Sequence, residues 1–323
     1  MPSTTRQALL QALSAAGGAY ISGQQLAGQL GVSRAAVHKA AAALTAQGYA
    51  LEAVSRRGYR LLGGDPFCAE AVGPYPAPVQ VYDTLESSNR TAKLLALDGA
   101  PHGTLVLTAH QSAGRGRLGR RFESPAGKGV YCSVLLRPEM PAANAQTATI
   151  SAAVAVCRAV KKLCGLELAV KWVNDLYYQG RKVCGILTEA ALDVESGMLD
   201  YAVLGLGFNI TAPPDGWPAE LQDVAGALFD DAPPPGARAA LAAAFLNEFW
   251  ALYHGVPKPE YLPEYRARQA LLGQTVTVTP RNGTPRKAEA LDIDEDCRLV
   301  VRFVGEHNLV PLRGEEVHLG KYL

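Results

Sequence analysis

The sequence predicts an α+β protein built from several domains, and three observations predict it. The chain has 323 residues, more than one small core usually organises. Up to Leu62 it is basic and reads as helices closed by a hairpin, whereas its middle alternates strand-like and helix-like runs. From Gly273 to Leu319 it is a series of short strands.

Apolar residues make up 48% and charged residues 19%, an ordinary globular composition, and the net charge of +1 by itself points to no polyanionic partner. The distribution says more. Up to Leu62, six cations (Arg6, Arg34, Lys39, Arg56, Arg57, Arg60) stand against Glu52 alone, which is +5 and leaves −4 for the rest. A basic first segment on a slightly acidic body marks a separate nucleic-acid-binding module. No apolar run reaches the about 20 residues of a membrane helix, and no secretory signal opens the chain, so no membrane partner and a cytoplasmic location are expected. Cys68, Cys132, Cys157, Cys164, Cys184 and Cys297 form no Cys-x-x-Cys pair and sit mostly in apolar runs. They read as buried free thiols, with no structural metal and no disulfide framework.

The first domain is residues 1–62. A helix from about Thr5 to Ala16 ends at Gly17-Gly18. Ser22 caps a second helix carrying Leu26, Ala27 and Leu30, Gly31 breaks the chain, and Ser33 caps a third. On the third, Val37, Ala40, Ala41 and Leu44 share one face. This resembles a helix-turn-helix, with Arg34, His38 and Lys39 on the exposed face and Ser33 at its start, ready for bases or phosphates. Tyr49–Val54 and Gly58–Leu62 read as two strands around Ser55-Arg56-Arg57. That is the form of a wing, whose Arg56 and Arg57 reach a phosphate or the minor groove. A three-helix protein-docking module with solvated charges is the alternative.

Gly63-Gly64-Asp65-Pro66 and Gly73-Pro74-Tyr75-Pro76-Ala77-Pro78 are rich in breakers, so residues 63–78 read as a linker. The central domain, 79–270, has strands expected at Thr104–Ala109, Val130–Leu136, Leu168–Trp172, Val183–Glu189 and Tyr201–Phe208. Asn144 to Cys164 reads as a helix with Ile150, Val154, Cys157 and Val160 on one face.

Four short segments of this domain carry chemistry. In the stretch from Gln111 to Arg121, Gly114, Gly116 and Gly119 alternate with Arg115, Arg117 and Arg120 directly after a strand. Glycines permit close backbone approach to a ligand, and arginines supply forked donors for phosphate and carboxylate. Four guanidinium groups within residues 115–121 repel one another without an anion, so the loop is expected to order around one. Alone, it could equally be a solvated basic hairpin or an RNA-binding tract. Ser87-Ser88-Asn89 opens a helix and offers compact donors and acceptors for a small polar ring, or simply a helix cap. Lys171-Trp172-Val173-Asn174-Asp175 follows a strand, where Asp175 can hold Mg²⁺ on phosphate oxygens and Lys171 can offset their charge, or Asn-Asp can merely build a turn. In Arg181-Lys182-Val183-Cys184-Gly185-Ile186-Leu187, Lys182 enters a strand that reads as buried, so its charge needs an anionic partner.

Together, in order and spacing, these segments resemble the biotin–protein ligase family, and the resemblance covers essentially the whole chain. A winged helix in front and a small β-domain behind match its bifunctional members, which ligate biotin and repress transcription. Ser88 stands where the family has Thr, and Val173 where it has Pro. The resemblance implies a class II synthetase-like mixed-sheet catalytic domain and, over 271–323, an SH3-like β-barrel. It implies that Ser87, Ser88, Asn89 and Gln111 surround the biotin head group, while Arg115, Gly116 and Arg117 close over biotin and the adenylate. Lys182 would contact the biotin carboxylate and the α-phosphate, and Asp175 with Lys171 the phosphate and metal region. For the nucleotide it implies Arg117, Arg120, Asn174, Gly207, Asn209 and Trp217. ATP and Mg²⁺ would serve as cofactors, biotin as substrate, and a lysine of a biotin carboxyl carrier protein as acceptor. Operator DNA and an adenylate-bound homodimer complete the expectation. In the last domain Arg313 and Lys321 are available cations without an assigned role. A lipoate–protein ligase, a non-catalytic biotin sensor, and a ligase whose winged helix no longer binds DNA remain as alternatives.

Overall fold

A computed structural model describes the chain except residues 1–4, 47, 65–68, 139–145, 194, 196, 254–259, 281–282, 315–316 and 320–323. Cys68, Asn144, Asn282 and Lys321 therefore lie outside the described residues. The chain divides into two compact units, 1–74 with 231–240, and 75–230 with 241–323.

In the first unit, helices α1 (Thr5–Ala15), α2 (Gly23–Leu30) and α3 (Arg34–Ala46) precede an antiparallel hairpin of β1 (Ala50–Val54) and β2 (Gly58–Gly63). Ser22 and Gln25 close a reciprocal capping box on α2, satisfying donors that a helix start leaves open. Gly31 adopts φ +64°, the left-handed turn that lets α3 leave at an angle. Val37, Ala40, Ala41 and Leu44 are buried with Leu9, Leu13, Leu26 and Leu61, so the expected apolar face of α3 is the core. Gly58 has no alternative residue: at φ +101° a Cβ there would lie 2.1 Å from the Ile21 carbonyl oxygen. That contact belongs to a two-way bridge between Ile21 and Tyr59, which ties the hairpin to the chain before α2.

The second unit is built on a seven-stranded mixed sheet. Its strands are β3 (Val79–Tyr82), β4 (Leu105–Thr108), β5 (Gly129–Leu136), β6 (Ala169–Lys171), β7 (Asp175–Tyr178), β8 (Arg181–Leu192) and β9 (Leu199–Asn209). They lie in the order β3-β4-β5-β9-β8-β7-β6, with only β3 and β4 parallel. The edge strand β3 and the short β7 carry no run long enough to read from pattern; both form because a neighbouring strand supplies their partners. Helix α4 (Ser88–Leu97) packs Ala92 and Ala96 against Val106, Leu135 and Val203 of the sheet. Helix α5 (Gln146–Cys164) was expected to bury one face; instead Ala148–Cys157, Ala159 and Val160 are all buried. Its small residues let other elements close in on every side, which a one-face pattern does not reveal.

Helices α6 (Ala237–Tyr253) and α7 (Leu262–Ala267) lead to the last strands, β10 (Thr275–Pro280), β11 (Arg286–Ile293), β12 (Leu299–Phe303), β13 (Leu309–Leu312) and β14 (Val317–Leu319). These pair as one antiparallel sheet, ordered β13-β12-β11-β10-β14, in which β14 returns to pair with β10, in keeping with the small SH3-like β-domain expected behind the catalytic domain. Strand β13 contains Pro311, which hid it from pattern reading; it survives because it is an edge strand. Arg313 is exposed.

Cys132, Cys157, Cys184 and Cys297 are buried and free, whereas Cys164 is half-buried. Burial pushes the thiols of Cys132, Cys157 and Cys297 up to about 12, and that of Cys184 well above its usual value. With Cys68 replaced by serine, a thiol reagent at pH 8 is expected to modify Cys164 alone, and the others only on unfolding. Rapid titration of more than one thiol in the native protein would contradict this packing.

Candidate active site

One cavity of about 480 Å³ opens on the seven-stranded sheet, and the structure brings to it every residue singled out for ligation chemistry. Ser87, Ser88, Asn89 and Gln111 form one wall; Arg115, Gly116, Arg117 and Arg120 come from the loop after β4. Lys171, Asn174, Asp175 and Lys182 line it from β6 to β8, Gly207 and Asn209 from β9, and Trp217 from the segment beyond.

The first wall is a buried polar network. Ser87 holds the N-cap position of α4, yet its side chain makes no capping hydrogen bond, so its hydroxyl is left for the cavity it lines. Gln111 accepts from the Ser88 amide at 2.9 Å through Oε1 and donates to Ser124 Oγ at 2.8 Å through Nε2. Asn89 donates through Nδ2 to the Leu187 carbonyl at 3.2 Å and to Glu189 at 2.8 Å, while its Oδ1 accepts from Ser133 at 2.6 Å. Asn89 thus turns both ends of its amide into the wall. Burial pushes the Glu189 carboxyl up, but hydrogen bonds from Lys93 and Asn89 outweigh it and hold the group below its ordinary value.

The arginine loop is a closed hairpin. Gly116 N donates to the Arg120 carbonyl at 2.7 Å, Phe122 N to Gly114 at 2.9 Å, and Arg117–Gly119 forms a 3₁₀ turn. Arg117 donates to Asn174 Oδ1 at 3.1 Å and to the carbonyl of Gly314, so the turn after β13 grips the loop. Asn174 also donates to the Ile186 carbonyl at 2.7 Å, which engages both ends of its side chain within the protein. Trp172 donates to the Cys297 carbonyl at 3.1 Å and Tyr265 to that of Val173 at 2.9 Å, fixing the segment before Asp175; its Trp172–Val173 peptide is cis.

Lys182 finds its expected anionic partner in Asp175, at 2.6 Å. A bulge between β7 and β8 brings this about. Lys182 and Gly185 are three positions apart, yet both face the cavity, which strict strand alternation forbids. Burial pushes the Lys171 ammonium below the usual lysine range; Asp175 opposes that shift, and Lys182 and Arg120 add to it. An arriving anion would relieve this crowding of positive charge.

At the far end, Asn209 donates to the Gly226 carbonyl at 2.9 Å, but its buried Oδ1 has no hydrogen-bond partner among the described residues. A buried acceptor left open on a cavity wall is a place for a ligand's donor. Trp217 is buried on the same wall.

Sequence reasoning named Gly207 but missed Phe122, Gly185 and Gly205. Gly185 lies opposite Gly207, and Leu187 opposite Gly205, on β8 and β9. A Cβ on Gly207 would lie 2.4 Å from the Phe122 ring, and one on Gly205 2.1 Å from Asn89 Oδ1. The signal was a run of alternating glycines inside an otherwise apolar strand, which marks close approach of another group.

In the first unit, Arg34, His38 and Lys39 are exposed on α3, while Ser33 Oγ accepts from the Ala36 amide at 3.1 Å and serves the cap. Arg56 is exposed at the wing tip with φ +67°. Arg57 is only partly available: its guanidinium stacks 3.9 Å over the Tyr20 ring, and Tyr20 in turn donates to Glu52.

A model of the biotin/lipoate A/B protein ligase family matches residues 81–209, and a helix-turn-helix domain model matches residues 5–60. The chain is 35% identical over 313 residues to the bifunctional ligase/repressor BirA of Bacillus subtilis, covering 93% of this chain and 95% of that protein. It is 31% identical over 240 residues to the biotin–[acetyl-CoA-carboxylase] ligase of Mycobacterium tuberculosis, covering 72% of this chain and 86% of that one. A biotin protein ligase from Aquifex aeolicus, solved in complex with biotin and ATP, shares the fold with TM-score 0.60 at 21% identity, over 76% of this chain and 99% of that one. The chain therefore belongs to the biotin/lipoate A/B protein ligase family, among the members with a helix-turn-helix domain in front that are described as bifunctional ligase/repressors.

Proposed function

We propose that this protein is an ATP-dependent biotin–protein ligase that also represses transcription in response to biotin. One observation carries the ligase reading. A single cavity joins a buried Ser-Ser-Asn wall, an arginine loop, the Asp175–Lys182 pair and an open acceptor on Asn209. A cyclic urea, a carboxylate, a phosphate and a nucleoside each find a complementary group there.

The chemistry has two steps. An oxygen of the biotin carboxylate forms a bond to the α-phosphorus of ATP as the bond to the pyrophosphate oxygen breaks, and pyrophosphate leaves. A neutral lysine amine of a biotin carboxyl carrier protein then attacks the acyl carbon, the bond to AMP breaks, and the amine proton passes to solvent. Lys182, exchanging Asp175 for the incoming anion, and Arg115 with Arg117 neutralise the charge on the reacting phosphate. Phe122 and the arginine loop shield the anhydride from water. Among the described residues no group of three His, Cys, Asp or Glu side chains stands ready to hold a metal ion. Asp175, a carboxylate beside the phosphate-facing cations, suits Mg²⁺ that arrives on the nucleotide. When bound, that ion supplies further neutralisation of the phosphate oxygens.

Pyrophosphate release on adding ATP with biotin, against ATP with lipoate, tests this. Release with biotin supports the ligase, release with lipoate alone would make it a lipoate ligase, and no release would make it a sensor.

For the repressor half, the adenylate-bound protein dimerises and binds operator DNA in the cytoplasm. No helix among the described residues is long and apolar enough to cross a membrane. Exposed Arg34 and Lys39 on α3 support the DNA reading. Replacing either by alanine is expected to weaken binding and, where it contacts phosphate, to lower the salt slope by about 1. Gel shifts with biotin and ATP measure both, and no shift at low salt would remove the repressor half.

A further inference from the structure

Resting on the biotin reading, we infer that Glu189, held by Lys93, is a positioning residue. It sets the hydrogen-bonding polarity of the head-group wall without touching the substrate. The argument is one of counting protons. Asn89 Nδ2 lies against the Leu187 carbonyl at 3.2 Å and the Glu189 carboxylate at 2.8 Å, and both groups can only accept. The amide is therefore locked with its NH₂ toward β8 and its Oδ1 toward Ser133, 2.6 Å away. A carbonyl oxygen cannot donate, so the single hydroxyl proton of Ser133 goes to Asn89. Ser133 and Ser88 are 2.8 Å apart through their hydroxyl oxygens, a contact that repels unless one of them supplies a proton. With the Ser133 proton committed, that proton is Ser88's. Gln111 Oε1, the other acceptor near Ser88, takes the Ser88 amide at 2.9 Å and lies 3.1 Å from the Ser88 hydroxyl, the longer of that hydroxyl's two contacts.

The outcome is a wall of defined sign. Ser88 turns lone pairs, not a proton, to the cavity. Gln111 uses one of its two Nε2 protons on Ser124 at 2.8 Å and keeps the other for the cavity. An acceptor beside a donor is the complement of an N–H beside a C=O, the edge a cyclic urea presents. Ser133 is fully buried and does not line the cavity, so it acts only as a relay. Lys93 fastens the far oxygen of Glu189, which keeps the carboxylate ionised and fixed. Gly205 belongs to the same device, since any side chain there would collide with Asn89 Oδ1.

Glutamine at position 189 reverses the relay. It would keep its oxygen toward Lys93 and turn an NH₂ toward Asn89, which must then flip. Ser133 would accept from Asn89 and donate to Ser88, leaving the Ser88 proton only its longer contact to Gln111 Oε1 or the substrate.

The test is a double-mutant cycle on the full-length protein, read as biotin-dependent pyrophosphate release. Glu189→Gln alone is expected to raise KM for biotin by about tenfold, the scale of one misdirected hydrogen bond, with kcat and KM for ATP changed by less than about twofold. In a Ser133→Ala background, where the relay is cut, the same change is expected to raise KM for biotin by less than about twofold. Lys93→Met, which keeps Glu189 but loosens it, should show a smaller rise with the same dependence on Ser133, and stands in if Glu189→Gln does not fold. Equal effects with and without Ser133, or a fall in kcat at unchanged KM, would overturn the relay. A wild-type protein that releases no pyrophosphate with biotin would instead overturn the ligase reading on which it rests.

Discussion

Replacing Lys182 by alanine is expected to slow biotin-dependent pyrophosphate release by a factor of about 10²–10³ in kcat while leaving the protein folded. Lys182 is the cation that the β7–β8 bulge turns into the cavity, 2.6 Å from Asp175 and beside Phe122. In the resting protein that ion pair is a quarter exposed on each side, so its loss should cost at most about 1 kcal/mol of stability. Its larger value lies in the reaction. A fixed ammonium needs no reorganisation as negative charge grows on the α-phosphate, whereas water filling the truncated site must reorient. The effect should fall on formation of the adenylate more than on biotin binding. Single-turnover assays started from ATP or from preformed biotinyl-5′-AMP separate the two half-reactions. A variant within about threefold of wild type on adenylate formation would remove Lys182 from the chemistry and leave it as a structural partner of Asp175.

Gly205→Ala is expected to raise KM for biotin at least about a hundredfold and to cost about 1–3 kcal/mol of stability, the range for overpacking a closed interior. The added Cβ would lie 2.1 Å from Asn89 Oδ1, and neither side can yield easily. Gly205 sits between β5 and β8 in the middle of the sheet, paired with Ser133 and Leu187. Asn89 is pinned by Glu189, Leu187 and Ser133. Gly207→Ala makes an instructive contrast, because its Cβ meets the Phe122 ring at 2.4 Å. It should disturb the arginine loop and raise KM for ATP more than KM for biotin. Thermal melts and the two KM values measured on both variants check this. Equal damage to the two substrates in both proteins would show that the glycines fill space without dividing the cavity.

Much of this site is legible in the sequence. Ser87-Ser88-Asn89, the glycine–arginine loop, Lys171–Asp175 and Lys182 stand out because charged, glycine-rich or amide-bearing residues interrupt runs that otherwise read as buried strand. Such interruptions are costly in a core, so the sequence tolerates them only where a ligand or partner compensates. The three helices of the first unit were legible for a local reason: Ser22, Gly31 and Ser33 act within a few residues of themselves.

Other features depended on residues far apart in the chain. β3 and β13 exist because a neighbouring strand pairs with them, and α5 is buried all round because other elements close over it. Whether Arg117 points at a ligand or at Gly314, 197 positions away, has no trace in local pattern. The same holds for Asn89 and Glu189, a hundred positions apart, and for the bulge that turns Lys182 inward. Sequence by itself determined which residue types and local conformations the chain commits to, because capping, turn chemistry and periodicity act over one or two turns. Only the tertiary structure decided which of those polar groups face the cavity and which are taken up in its wall. Hydrogen bonds are directional and each proton serves one acceptor, so that choice depends on how the whole wall is assembled.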